Sequence, residues 1–143
     1  MTDLLEYRNR LERVEELLDE LEQRAILGEI IIVEGKRDVL SLNKLGIKGN
    51  IKTASHQPLL NFAELIERSG ENVVILTDWD RRGDILASKI AGYLEHSGIE
   101  VDTDIRMRLQ SLVKKEIKDI ESVYTYVTKL RQLAGNEKWE YWL

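Results

Sequence analysis

Leu4, Tyr7, Leu11, Val14, Leu18, Leu21 and Ala25 recur along the chain at alternating spacings of three and four residues. That spacing draws a narrow apolar seam along one helix, with Gly28 as its stop. From Glu29 the period changes. Ile30-Ile31-Ile32-Val33 is an unbroken β-branched run, which suits a strand buried on both faces of a parallel sheet. The pattern then predicts a helix from Arg37 to Leu45, a second strand at Asn50–Ala54 and a helix opened by Pro58 and running to Arg68. Next come an apolar strand at Val73–Leu76, an amphipathic helix at Ile85–Glu95 and a fourth strand at Ile99–Ile105. A last helix, Asp119 to Leu133, again sets Ile120, Val123, Val127, Leu130 and Ala134 three and four apart.

Alternating strands and helices of these lengths imply right-handed βαβ units. The expected fold class is α/β: a three-layer α/β/α sandwich on a four-stranded parallel sheet in the order 2-1-3-4, with N- and C-terminal helices added. Three parts follow: the seam helix (1–28), the α/β core (29–105), and a basic segment with the last helix and an aromatic tail (106–143). The terminal helices are expected to pair, within one chain or across a two-fold homodimer. The narrowness of the seam favours the dimer.

Composition narrows the chemistry. The 143 residues are 43% hydrophobic and 33% charged, enough for a sizeable core. No apolar run approaches the roughly 20 residues that span a bilayer, and the opening Met-Thr-Asp-Leu-Leu-Glu is acidic. Those features argue against a signal peptide or membrane anchor and for a cytoplasmic protein. The absence of cysteine excludes disulfides, thiolate zinc sites, iron–sulfur clusters and cysteine nucleophiles. Carboxylate is the abundant donor, and it favours hard cations such as magnesium or manganese. The net charge of −5 is unevenly placed. Arg106, Arg108, Lys114, Lys115 and Lys118 face only Glu116 within residues 106–118, so a basic face remains open to a polyanion.

Two strand ends carry the candidate chemistry. The first strand runs into Glu34-Gly35-Lys36-Arg37-Asp38, the third into Asp78-Trp79-Asp80-Arg81-Arg82-Gly83. Open parallel sheets bind ligands at the C-terminal ends of their strands. With the first and third strands adjacent, Glu34, Asp78 and Asp80 converge, and three carboxylates that close call for a cation or a proton. Gly35 and Gly83 lack a Cβ, so a phosphate can approach the backbone there.

This pairing resembles the Toprim domain, which type IA and type II topoisomerases, bacterial-type primases and certain nucleases share. The run Val33 to Asp38 is most similar to the ribonuclease that matures 5S ribosomal RNA and to small free-standing archaeal Toprim proteins. The resemblance implies that Glu34 is a general acid or base, that Asp78 and Asp80 hold Mg2+ or Mn2+, with Glu34 in the same metal site, and that Lys36 meets a phosphate. Trp79 stands where many members carry a small residue or proline. Its indole either stacks on a nucleobase or covers the sheet edge. Haloacid-dehalogenase phosphatases also place Asp-x-Asp after a strand, but Arg82 stands where they carry Thr or Val. A response-regulator receiver would need paired acids after its first strand.

Further phosphate or nucleic-acid contacts are expected from Arg81, Arg82, His56, Lys114 and Lys115. Trp139, Tyr141 and Trp142 crowd the end of the chain, to stack on bases or pack over an edge. A topoisomerase or primase needs further domains. A single Toprim domain can carry out metal-assisted phosphodiester hydrolysis on RNA, favoured over DNA. The competing reading is a noncatalytic magnesium-dependent nucleic-acid or nucleotide-binding module, or an adaptor in a larger RNA- or DNA-processing complex.

Overall fold

A computed structural model describes residues 4–135. In chain order the elements are α1 (Leu4–Ile26), β1 (Ile30–Val33), α2 (Lys36–Lys44), β2 (Ile51–Thr53), α3 (Leu59–Ser69), β3 (Val73–Ile75), α4 (Arg81–Leu94), β4 (Val101–Asp102), α5 (Asp104–Val113) and α6 (Val123–Ala134). The four strands form one parallel sheet in the order β2-β1-β3-β4, as the spacing of the motifs requires.

Side chains alternate along each strand, so the sheet splits the interior in two. Ile31, Val33, Val74 and Leu76 pack into one core with α1, α2, α5 and α6. Ile30, Ile32, Val73 and Ile75 face the other way, onto Phe62 and Ile66 of α3 and Ile90 and Leu94 of α4. This is the expected α/β/α sandwich. The seam of α1 buries Val14, Leu17, Leu18 and Leu21 against α6 and α5 of the same chain. Of the two expected pairings of the terminal helices, the chain itself supplies the intramolecular one.

Three boundaries shift for local reasons. The helix expected from Ile85 begins at Arg81, because Asp80 caps it: its Oδ1 accepts the Gly83 N–H at 2.6 Å. The Arg81-Arg82-Gly83-Asp84 turn is mostly polar and carries no apolar period to reveal it. The fourth strand is only Val101–Asp102, because Asp102 Oδ1 accepts the N–H groups of Asp104 and Ile105 and starts α5. The last helix begins at Val123 rather than Asp119. Asp119 Oδ1 accepts the Ser122 N–H there, and the Ile120 N–H is used elsewhere.

Candidate functional site

β1 and β3 are neighbours, with Ile32 opposite Ile75 and the Leu76 N–H donating to the Ile32 carbonyl. Both strands leave the sheet at the same level, which sets Glu34 beside Asp78. The Asp78 N–H donates to Glu34 Oε2 at 2.8 Å, and Asp78 Oδ1 accepts the Ile120 N–H at 3.0 Å. Burial, with the charges of Asp38 and Glu34, pushes the Asp78 carboxyl up to about 7 against the pull of the Ile120 amide. Burial likewise raises Asp38, helped by Glu34, Asp119 and Glu121 and opposed by the Gly35 N–H, which donates to Asp38 Oδ2 at 3.0 Å.

The pair opens on a cleft of about 700 Å³ whose walls include Glu34, Gly35, Lys36, His56 and Asp78, together with Arg37, Asp38 and Glu121. Lys36 and Arg37 are exposed on the first turn of α2, and Arg37 meets Glu121 at 3.5 Å. His56 is exposed in the turn after β2 with a positive φ of 63°. Five of the expected residues thus share one cavity. Asp80, Arg81, Arg82 and Gly83 do not line it, and neither do Lys114 and Lys115, which are exposed at the end of α5. The aromatic tail, with Trp139, Tyr141 and Trp142, lies outside the described residues.

Two residues of the second motif turn inward. Gly83 is buried, and a Cβ there would collide with the Asp78 carbonyl oxygen, so the missing side chain serves the fold. Trp79 is only 7% exposed and lies in the core beside the C-terminal segment. Its Nε1 donates to the Ile117 carbonyl at 2.7 Å and its N–H to the Lys118 carbonyl at 3.2 Å, so the indole is not presented to a base. Gly35 is a subtler case. A Cβ there would meet nothing within 4 Å, so the approach is open, but its amide is already given to Asp38.

One residue of the site is hidden in the basic run. Arg106 is 9% exposed, and its guanidinium donates to the carbonyls of Thr77 and Asp78 and to Asp84 Oδ1. Arg106, Leu109 and Val113 fall three and four apart on one buried helix face, which is the sequence signal that marks Arg106 as internal. Arg108 pairs with Glu20 and Asp104, so the exposed positive charge of this segment comes down to its lysines.

Among the described residues, no three aspartate, glutamate or histidine side chains form a group that could hold a metal ion. The donor chemistry nevertheless fits a hard divalent cation. Glu34, Asp78 and Asp80 each have one oxygen fixed by a backbone N–H, and burial, with the charges of Asp38 and Glu34, raises the proton affinity of Asp78. Asp80 follows in the loop after β3, where its Oδ1 caps α4.

Comparison with known proteins agrees with the motif and the topology. Residues 29–112 match the Toprim domain. The chain is 61% identical over 135 residues to a UPF0292 protein of Methanosarcina barkeri, covering 94% of each chain. It is 43% identical over 120 residues to a UPF0292 protein of Methanocaldococcus jannaschii, covering 83% of this chain and 90% of that one. A solved structure of an Aquifex aeolicus protein superposes with a TM-score of 0.64 at 29% identity, covering 76% of this chain and 96% of that one. Among the described residues no helix is long and apolar enough to cross a membrane. The chain belongs to the Toprim domain family, whose domains bind divalent metal ions and serve metal-dependent functions related to nucleic acid.

Proposed function

We propose that this protein hydrolyses phosphodiester bonds in nucleic acid with magnesium or manganese, RNA in preference to DNA. The supporting observation is the Glu34–Asp78 pair at the ends of two adjacent parallel strands, flooring a cleft rimmed by Lys36, Arg37 and His56. Parallel sheets place ligands at this end. A carboxylate pair beside cationic side chains suits a phosphate that must be both attacked and neutralised. The preference for RNA rests on the similarity of Val33 to Asp38 to the 5S-rRNA-maturing ribonuclease.

Asp78 and Asp80 would hold the metal, with Glu34 adjoining. A divalent ion bound there supplies charge neutralisation at the scissile phosphate and acidifies a water. Glu34 has Oε2 fixed by the Asp78 N–H, which orients the carboxylate to take a proton from the attacking water or return one to the leaving oxygen. Lys36 offsets charge developing on the phosphate from the rim of the cleft. Arg37 does the same once Glu121 releases it, and His56 contacts a phosphate from the β2 side. Lys114, Lys115, Arg81 and Arg82 extend the basic surface along the strand of substrate.

The use of Asp80 as a helix cap favours a second reading, a noncatalytic magnesium-dependent nucleic-acid or nucleotide-binding module or adaptor. Incubation with labelled RNA and DNA in magnesium, in manganese and in chelator separates them. Metal-dependent cleavage supports the nuclease. Binding without cleavage in either metal transfers the proposal to the module, and failure to bind either metal at millimolar concentration leaves the adaptor.

A further inference from the structure

We propose that Arg106 is a positioning residue that aims the carboxylate of Asp78, an inference that rests on Asp78 belonging to the site described above. Asp78 lies just past the end of β3, where sheet hydrogen bonds no longer define the backbone. Arg106 replaces them. Its Nε donates to the Thr77 carbonyl at 2.8 Å, and its Nη2 donates to the Asp78 carbonyl and to Asp84 Oδ1. The planar fork satisfies two successive carbonyls and a carboxylate in one fixed geometry, which an ammonium on a flexible stem cannot reproduce.

The remaining atoms of the turn are held from other directions. The Asp78 N–H is taken by Glu34, Thr77 Oγ1 donates to the Gly83 carbonyl, and the Gly83 Cα packs where no Cβ fits against the Asp78 carbonyl. Arg106 is the member of this set that reaches the turn from α5. Asp84 keeps the guanidinium from being a lone buried charge. The peptide planes on both sides of the Asp78 Cα are therefore fixed, and with them the direction in which its side chain leaves the backbone. A small rotation of that turn would carry the carboxylate away from Glu34 and from the Ile120 amide together.

Amide hydrogen exchange and Mn2+ affinity, measured on the full chain, test this in Arg106→Lys and in Asp84→Ala. The second takes the half-exposed carboxylate from the guanidinium while leaving Arg106 itself in place, and gives a second reading should the first misfold. The expected result is faster exchange at Asp78 and Ile120, with Ile31 and Val74 still protected, and Mn2+ affinity down by about tenfold in Arg106→Lys and by less in Asp84→Ala. Uniform loss of protection would make Arg106 a general stabiliser and overturn the proposal. So would unchanged exchange at Asp78 and Ile120, or undiminished Mn2+ affinity in the variants. If the wild-type chain binds no Mn2+, the metal reading fails by itself, and the exchange pattern still decides whether Arg106 orients this turn.

Discussion

Glu34 receives the backbone N–H of Asp78 at 2.8 Å, so the side chain that ends β1 fixes the turn that ends β3. The two residues are joined both through a hydrogen bond and through the mutual repulsion of their carboxylates, and those couplings can be separated by substitution. Glu34→Gln keeps an oxygen that can accept the Asp78 N–H and removes the negative charge. It should fold, retain most of its metal affinity and lose activity by about 10²–10⁴-fold. Asp80→Asn should lose metal binding and activity together. Titration of metal alongside a cleavage assay checks both.

Stability in chelator should fall as pH rises from about 4 towards 7. Asp78 keeps its proton to about 7 in the folded chain, where burial and the charges of Asp38 and Glu34 hold it, and releases it near 4 when unfolded. The folded state binds more protons within that window, so stability is greatest below it and declines through it. Asp38, also raised, adds to the same slope. Melting temperatures across this range should decline for wild type and flatten for Asp78→Asn.

Gly83→Ala should destabilise the fold by about 1–3 kcal/mol, since backbone must move to admit the new carbon. Because the obstructing atom is the Asp78 carbonyl oxygen, metal affinity should drop as well. Denaturant unfolding and Mn2+ titration of the same sample give the two numbers.

Trp79→Phe removes the donor to the Ile117 carbonyl and should cost about 1–2 kcal/mol. Its affinity for single-stranded RNA should match wild type when both are fully folded. A selective loss of RNA affinity would restore the indole as a stacking surface.

Charge reversal at Lys114 and Lys115 should weaken polyanion binding and flatten its salt dependence by roughly one logarithmic unit for each phosphate no longer neutralised. Binding isotherms over a series of salt concentrations measure this slope. An unchanged slope would make this end of α5 an ordinary solvated face.

The strands and the pairing of Glu34 with Asp78 are legible in the sequence because apolar runs and the residues closing them are local patterns. The order β2-β1-β3-β4 follows from right-handed crossovers and from the need to bring those two ends together. What stays hidden is decided by interactions between residues far apart in the chain. Ile120 reads as a helix residue, yet its N–H is diverted to Asp78, 42 positions away. Arg106 groups by charge with exposed neighbours, although its spacing to Leu109 and Val113 places it inside. Trp79 and Gly83 sit within the motif itself. A motif shows which residues cluster but not which of them support the others, and both are supports.

The pairing of α1 with α6 imposes an order on how the molecule is completed during synthesis. Arg10 of α1 donates to the Tyr126 hydroxyl across 116 positions, and the apolar face holding Val14, Leu17 and Leu21 is closed by that distant helix. At ribosomal rates, on the order of 5–20 residues per second, that face waits roughly 5–20 s for its cover after leaving the exit tunnel. The α3–α4 side of the sheet has no such delay, since the strands and helices that form it are made in succession. One layer of the sandwich can therefore mature as it emerges, while the layer that holds Ile120 against Asp78 is assembled only once α6 has emerged.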